Sequence, residues 1–245
     1  MKILIIPDIH QRYQQILPLI QAEENNYDLL LFLGDYFDNF NDTLDDVEQT
    51  ALIIKEIVYN PKVKLLMGNH DLPYRFWSDC PRLRCSGNSI EKRETIRAIL
   101  KEEDWKRMHL FHHEIDEFGR EWYFTHAGIS PSFLRPFVGI NKDTFTKDCQ
   151  KALDCCKIGI VYDLLQAGLA RGGNGVVGGI TWLDWNDEFV PIPFYNQIVG
   201  HTIVRTPQQK TIKNSENWNF DTNSRYLGTW DDGKVGIIQN KYLSA

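Results

Sequence analysis

Residues 63–71 read Val-Lys-Leu-Leu-Met-Gly-Asn-His-Asp, an apolar run that ends in a cluster of polar residues. Two earlier stretches repeat this pattern: residues 2–10 read Lys-Ile-Leu-Ile-Ile-Pro-Asp-Ile-His, and residues 29–38 read Leu-Leu-Leu-Phe-Leu-Gly-Asp-Tyr-Phe-Asp. Apolar runs this short, bounded by Gly or Pro and without alternation, are typical of strands buried on both faces. We therefore predict strands at 2–6, 29–33 and 63–67.

The segments between these runs have the periodicity of helices. Apolar residues recur on one face over 15–24 and again over 44–59, where Thr43 and Asp46 are spaced as an N-terminal capping pair. Strand, helix, strand, helix, strand is a βαβαβ unit, which implies parallel pairing. Ligands bind at the carboxyl edge of such sheets, where the polar clusters of this chain would lie.

The remaining sequence predicts a mixed, β-rich second half. We expect helices at 91–103 and 146–169, a long loop at 76–92, strands at 121–125 and 197–199, and a hairpin around Asp231-Asp232-Gly233. No repeat or linker divides the chain, so we expect a single domain over 1–245.

Composition and charge exclude several classes of protein. The 245 residues carry 27 Lys and Arg against 33 Asp and Glu, a net charge of −6, which makes nucleic acid an unlikely partner. Five Cys without a C-x-x-C motif do not suggest a disulfide scaffold. No apolar run approaches the length of a membrane helix, and no signal peptide is recognisable. We expect a cytoplasmic protein that does not bind membranes.

Polar residues that follow strands form a candidate metal-binding set. Carboxylate, imidazole and amide oxygen ligands without thiolate suit Mn²⁺ above all, with Fe or Zn²⁺ also possible. Two ions sharing one Asp carboxylate would make a hydrolytic two-metal site. Each motif alone is weak, but together and in this order they are informative. The set consists of Asp8, His10, Asp35, Asp38, Asn69, His70, His126 and His201.

The motifs D-x-H, G-D-x-x-D, G-N-H-D, H-A-G and G-H-T together resemble those of the calcineurin-like metallophosphoesterases. Within that superfamily the chain most resembles the phosphoprotein phosphatase and symmetrical diadenosine tetraphosphatase branch. The resemblance implies an α/β fold of two mixed β-sheets in a sandwich flanked by helices, in four αββα layers. It also implies a binuclear centre of two divalent metal ions.

The resemblance further implies a role for each motif residue. Asp8, His10 and Asp35 would hold the first metal, and Asp35 would bridge to a second metal completed by Asn69, His126 and His201. His70, held by Asp38, would protonate the leaving oxygen while metal-activated hydroxide attacks phosphorus in line. A nearby carboxylate also raises a histidine pKa on physical grounds.

Two departures from that branch concern how phosphate is held. Asn39 stands where Arg is usual, and Asp71 stands where Glu is common. The segment 75–93 carries five basic residues against two acidic ones. We therefore expect Asn39 and Arg75 to bind the substrate. Arg75 is the basic residue of this segment nearest to His70 in sequence, and guanidinium groups match phosphate geometry.

The sequence leaves several functions open. The leading interpretation is hydrolysis of a phosphomonoester, as in phosphoprotein Ser/Thr phosphatases, and the alternative is a dinucleoside polyphosphate hydrolase. A nuclease or cyclic phosphodiesterase is disfavoured by the acidic charge. A non-catalytic interaction module is disfavoured because no ligand and no proton donor of the motif set is missing. The expected partner is a phosphorylated protein or a nucleotide.

Overall fold

The computed structural model describes residues 1–133 and 141–243 as an α/β protein built on two mixed five-stranded sheets. The strands in chain order are β1 (Lys2–Ile6), β2 (Leu29–Phe32), β3 (Val63–Leu65), β4 (Phe111–Ile115), β5 (Glu121–Thr125), β6 (Tyr195–Val199), β7 (Gln208–Ile212), β8 (Ser215–Asn219), β9 (Tyr226–Asp231) and β10 (Lys234–Gln239). The helices are α1 (Tyr13–Ala22), α2 (Leu44–Ile57), α3 (Leu72–Arg75), α4 (Ile90–Ile99), α5 (Glu102–Trp105) and α6 (Lys142–Cys156).

The first sheet has the order β10-β9-β1-β2-β3. Its three N-terminal strands are parallel, as the βαβαβ pattern predicts, and the β9–β10 hairpin lies antiparallel beside β1. The capping box of α2 is also confirmed, because Thr43 Oγ1 accepts the Asp46 N–H and the Asp46 carboxylate accepts the Thr43 N–H. The sheet therefore joins the beginning of the chain to its end.

The second sheet has the order β4-β5-β6-β8-β7. Strands β5, β6 and β8 are parallel, whereas β4 and β7 are antiparallel to their neighbours. A short bridge between Leu66 and His109 links the segment after β3 to the one before β4. Both sheets thus contribute parallel strands that end near one another.

The two sheets pack face to face, and helices cover their outer faces. Ile3 and Ile5 of β1 contact a core that includes Trp122 of β5. Leu4 of the same strand faces the other way, into the core formed with α1 and α2. On the outer side of the second sheet, the ring of Tyr123 lies 6.2 Å from that of Phe145 in α6. The predicted αββα layering is confirmed.

The helix predicted at 146–169 is wrong in its second half. Helix α6 ends at Cys156, and the chain then continues with only short 3₁₀ turns at 163–165 and 169–171. Gly159 adopts φ +77°, a left-handed conformation that ends a helix. The helix predicted at 91–103 is interrupted at Leu100, whose ψ of 126° is extended.

The edge strands β4 and β7 and the strand β8 were not individually predicted. Their sequences, Phe-His-His-Glu-Ile, Gln-Gln-Lys-Thr-Ile and Ser-Glu-Asn-Trp-Asn, lack an apolar run. Buried amides stabilise this part of the sheet instead: Asn217 Nδ2 donates to the Lys210 carbonyl, and Asn196 Nδ2 donates to the Glu121 carbonyl. None of the helices within the described ranges is both long and apolar enough to cross a membrane.

The burial of β1 between the layers predicts that truncating one of its side chains lowers the free energy of unfolding. Ile5→Ala should lower the free energy of unfolding by about 2–5 kcal/mol, because it removes buried methyl groups and leaves a cavity. Ile115→Ala is the matched control: this side chain is 56% exposed, so its loss should cost less than about 0.5 kcal/mol. Denaturant unfolding measures both variants, and equal losses would contradict the layered packing.

Candidate metal centre and its surroundings

The six predicted metal ligands lie just beyond the carboxyl ends of five strands. Asp8 and His10 follow β1, and Asp35, Asn69, His126 and His201 follow β2, β3, β5 and β6. Three of them adopt left-handed backbone conformations, with φ of 40° at His10, 52° at Asp35 and 67° at His201. For residues other than glycine such conformations cost about 1 kcal/mol or more each, and they are frequent at active sites.

Four ligand atoms converge around His126. Its Nε2 lies 3.0 Å from Asn69 Oδ1, 3.2 Å from His201 Nδ1 and 3.4 Å from Asp35 Oδ2. Because His126 Nδ1 donates to the Leu33 carbonyl at 3.0 Å, the neutral ring presents the lone pair of Nε2 to the other three atoms. Four electron-rich atoms directed at one point fit a bound cation.

A second group of ligands shares Asp35 with the first. Atoms of Asp8, His10 and Asp35 lie within 4.8 Å of one another. His10 Nδ1 lies 2.8 Å from the Phe37 carbonyl, so Nε2 is left to bind a metal, 3.7 Å from Asp35 Oδ2. Asp35 Oδ2 therefore faces one histidine from each group, as an oxygen shared by two ions would.

The charges of this cluster show that protons and metal ions would compete for it. Burial raises the pKa of Asp8 to about 6. Burial alone would lower the pKa of His126, but the carboxylates of Asp35 and Asp8 raise it to about 9. Without metal the cluster thus retains protons near neutral pH, and binding of divalent ions must displace them.

The carboxylate of Asp71 holds two of the ligand loops together. It is fully buried and accepts the backbone N–H groups of Asp35 at 2.7 Å, Gly68 at 2.8 Å and Tyr36 at 2.9 Å. At Gly68 there is no room for a side chain, because a Cβ atom would lie 2.1 Å from Asp35 Oδ1. The loops after β2 and β3 are therefore fixed relative to each other.

His70 and Asp38 form the predicted pair. His70 Nδ1 lies 3.0 Å from Asp38 Oδ2, and the His70 backbone N–H donates to Asp35 Oδ1 at 2.9 Å. Burial would lower the pKa of His70, but the charge of Asp35 and the hydrogen bond to Asp38 raise it well above its ordinary value. The two rings of His70 and His10 lie 5.2 Å apart, which places His70 beside the ligand cluster.

Asp38 has three further partners that the sequence analysis missed. Tyr74 Oη and Lys92 Nζ donate to Oδ1, at 2.5 Å and 3.1 Å, and Asn88 Nδ2 donates to Oδ2 at 2.6 Å. The segment 75–93 thus contacts Asp38, although through Asn88 and Lys92 rather than through Arg75. No periodic pattern marks these residues in the sequence. With four donors around it, the Asp38 carboxylate has one orientation.

Arg75 does not lie in the site, which corrects its expected role. Its guanidinium pairs with Glu102 at 3.0 Å and lies 3.4 Å from the Trp105 carbonyl, with its side chain only 4% exposed. One helical turn, α3, separates it from Asp71 and directs it toward α5. Asn39 lies next to Asp38, and its backbone N–H donates to Gln11 Oε1 at 2.8 Å, whereas its side-chain amide forms no hydrogen bond among the described residues.

Arg171, unlike Arg75, contacts a residue next to a predicted metal ligand. Its Nη2 donates to Thr202 Oγ1 at 2.8 Å, directly beside His201, and its charge helps to lower the pKa of His201 after the larger effects of burial and His126. Arg171 lies just beyond the helix predicted at 146–169, and no sequence signal connects it to the site. It lines a groove together with Arg82 and Arg84.

Comparison with known proteins assigns the chain to a family. Residues 1–202 match the family model of the calcineurin-like phosphoesterases, which covers most of the chain, so the chain belongs to this family. Membership makes it a metal-dependent hydrolase, with Asp and His groups that are able to bind metal. No curated protein sequence matches it significantly.

Solved structures are similar in fold at low sequence identity. A cold-active protein-tyrosine phosphatase of a Shewanella species is 14% identical over 99% of this chain and 78% of that chain, with a TM-score of 0.54. A protein serine/threonine phosphatase of Saccharomyces cerevisiae is 13% identical over 97% and 79%, with a TM-score of 0.48. A putative diadenosine tetraphosphatase is 16% identical over 97% and 93%, with a TM-score of 0.45.

The contacts of Asp71 predict that its substitution lowers both the stability of the protein and its affinity for metal. Asp71→Asn keeps the shape of the side chain but replaces one acceptor oxygen by an NH₂ group, which cannot accept a backbone N–H. An unpaired buried donor should cost about 1–3 kcal/mol of stability. Metal affinity should fall by about tenfold or more, because Asp71 positions Asp35. Asp79→Asn, at an exposed position, is the control. Unchanged metal affinity by calorimetric titration would contradict the positioning role.

Proposed function

We propose that this protein hydrolyses a phosphomonoester with the help of two divalent metal ions, as a phosphoprotein phosphatase does. The observation that carries the proposal is the shared position of Asp35 between two ligand groups, with the His70–Asp38 pair beside them. A metal-binding scaffold would need the ligands alone. The histidine–carboxylate pair next to them supports catalysis.

In this proposal Asp8, His10 and Asp35 bind one ion, and Asp35 with Asn69, His126 and His201 binds the other. The donor set has no thiolate, which favours Mn²⁺ over softer metals. When bound, such ions supply an activated water for in-line attack and neutralise charge on the phosphoryl oxygens. The Leu33 and Phe37 carbonyls keep the two ligand histidines in the tautomers that binding requires.

His70 acts as the general acid toward the leaving oxygen. Asp38 accepts the Nδ1–H of His70, so the proton to be transferred is carried at Nε2. The four donors on Asp38 fix the direction of its carboxylate and hence of the His70 ring. Asn39 follows Asp38 directly, and its side-chain amide, which forms no hydrogen bond among the described residues, contacts a phosphate oxygen in this proposal.

A second candidate function is hydrolysis of dinucleoside polyphosphates. Arginines near the ligand cluster favour it, since Arg171 is bonded to Thr202 beside His201. The same ligands and the same acid would serve both reactions, because both break a bond between phosphorus and a leaving oxygen. The two candidates differ in the leaving group.

Metal dependence is the direct test. Purified protein with Mn²⁺ should hydrolyse p-nitrophenyl phosphate, and a chelator should abolish the activity. Asp35→Asn should lose both bound metal and activity, because one carboxylate serves both ions. Asp45→Asn, an exposed Asp in α2, is the matched control and should retain both. An active preparation that contains no metal by elemental analysis would refute the proposal.

The role of His70 predicts a dependence on the leaving group. His70→Ala should keep its metals and lower kcat by about 10²–10⁴ for alkyl phosphates, whose leaving oxygen needs a proton. The loss should be much smaller for p-nitrophenyl phosphate, because nitrophenolate leaves without one. The exposed His109 provides a control, His109→Ala, with no loss expected. Equal losses on both substrates would exclude His70 as the acid.

A further inference from the structure

A groove of about 560 Å³ opens beside the candidate metal centre. The lining includes Cys85, whose Sγ lies 3.6 Å from His70 Nδ1. It also includes Trp182, whose ring lies 5.7 Å from the His201 ring. The groove therefore adjoins both the proposed proton donor and a proposed metal ligand, where a leaving group would depart.

The charge of this groove is opposite to that of the whole chain. Arg82, Arg84 and Arg171 line it, and no Asp or Glu is among the described residues that do. The chain as a whole carries −6. Arg82 is exposed and forms no ion pair with a carboxylate of the described part of the chain. Arg171 is paired with Asp184 outside the lining, so the unbalanced positive charge of the groove is that of Arg82 and Arg84.

Two of the arginines are held in place before any ligand binds. The Arg84 guanidinium lies 4.2 Å from the ring centroid of Trp77 and donates to the Trp77 carbonyl at 3.0 Å. Arg171 is fixed by Thr202 and by Asp184, whose Oδ2 lies 2.7 Å from Arg171 Nε. Groups that are already ordered lose less entropy when they bind a ligand.

We propose that this groove binds a leaving group that itself carries phosphate, through Arg82, Arg84 and Arg171. The inference rests on the proposed function, in which the metal ions and His70 act on the phosphoryl group that is transferred. The arginines lie outside that ligand cluster and line the groove, which also contains Cys85, a neighbour of His70. They therefore select substrates by the charge of the group that leaves.

Phosphate suits this groove better than a carboxylate-rich polypeptide. Planar guanidinium groups form paired hydrogen bonds with phosphate oxygens, and three of them can surround more than one phosphate. The volume of the groove is in the range of small-molecule sites. Trp182 also offers an aromatic surface in the lining of the groove. The substrate class is thus a nucleotide or another small molecule with at least two phosphates.

The test compares two substrates that differ only in the leaving group. Adenosine 3′,5′-bisphosphate and adenosine 3′-monophosphate have the same 3′-ester, but only the first leaves with a phosphate attached. With Mn²⁺, wild-type kcat/KM for release of the 3′-phosphate should be at least tenfold higher for the bisphosphate. Diadenosine tetraphosphate tests whether an anhydride-linked leaving group is used as well.

Variants then locate the preference in the groove. The double variant Arg82→Ala/Arg84→Ala removes two exposed side chains and should reduce the bisphosphate preference by at least tenfold. Arg171→Ala should do the same, and Arg171→Lys guards against loss of folding by keeping a cation at this position. The control is Arg97→Ala, an exposed arginine of α4 outside the groove, which should keep the wild-type ratio.

A binding measurement complements the kinetics. Adenosine 5′-(α,β-methylene)diphosphate resists hydrolysis, and calorimetry should show at least tenfold weaker binding to the double variant than to Arg97→Ala. Equal wild-type kcat/KM for the two nucleotides, or a ratio unchanged by the groove variants, would overturn the inference. Failure to hydrolyse p-nitrophenyl phosphate would instead refute the proposed function itself.

Phosphopeptide substrates test the remaining alternative, which is an acidic protein substrate. Two phosphoserine peptides, one with acidic and one with neutral flanking residues, are assayed in parallel. We expect acidic flanking residues to raise kcat/KM of the peptide much less than the 5′-phosphate raises kcat/KM of the bisphosphate. A gain as large as that of the bisphosphate, and lost in the double variant, would overturn the phosphate assignment in favour of an acidic protein substrate.

Discussion

The arrangement of the site depends on the buried carboxylate of Asp71, which forms no ion pair with a Lys or Arg of residues 1–133 and 141–243. Asp71 is inaccessible to solvent, and its oxygens accept three backbone N–H groups from the two loops that carry Asp35, Asn69 and His70. Such a group is costly to bury and is tolerated only when its hydrogen bonds are complete. The loops therefore have little freedom to separate, which keeps Asp35 beside both groups of predicted ligands.

The first sheet and the ligand set were predictable because their information is local. Each apolar run codes for a buried strand, and each polar cluster follows directly at the strand end, so parallel pairing alone brings Asp8, Asp35 and Asn69 to one edge. The strand β8 was not predictable in this way. Its inward positions include amides such as Asn219, which is acceptable in the interior because its Nδ2 donates to the Thr202 carbonyl and its Oδ1 accepts the Asp221 N–H.

Arg75 shows why nearness in sequence is a poor guide to nearness in space. A single helical turn follows Asp71, and Arg75 at its end contacts Glu102 and the Trp105 carbonyl instead of the site. Two of the partners of Asp38 are Asn88 and Lys92, which the loop after α3 brings close to it in space. Hydrogen bonds between such distant residues leave no periodic pattern in a single sequence.

The position of the arginines has a consequence for specificity. An arginine directly on the transferred phosphoryl group stabilises every substrate equally, since every substrate has that group. Arg82, Arg84 and Arg171 line the groove that we propose for the leaving group, so in that proposal they contact what is attached to the phosphoryl group rather than the phosphoryl group itself. Discrimination between substrates then depends on the leaving group, while the ligands at the strand ends serve the reaction common to all of them.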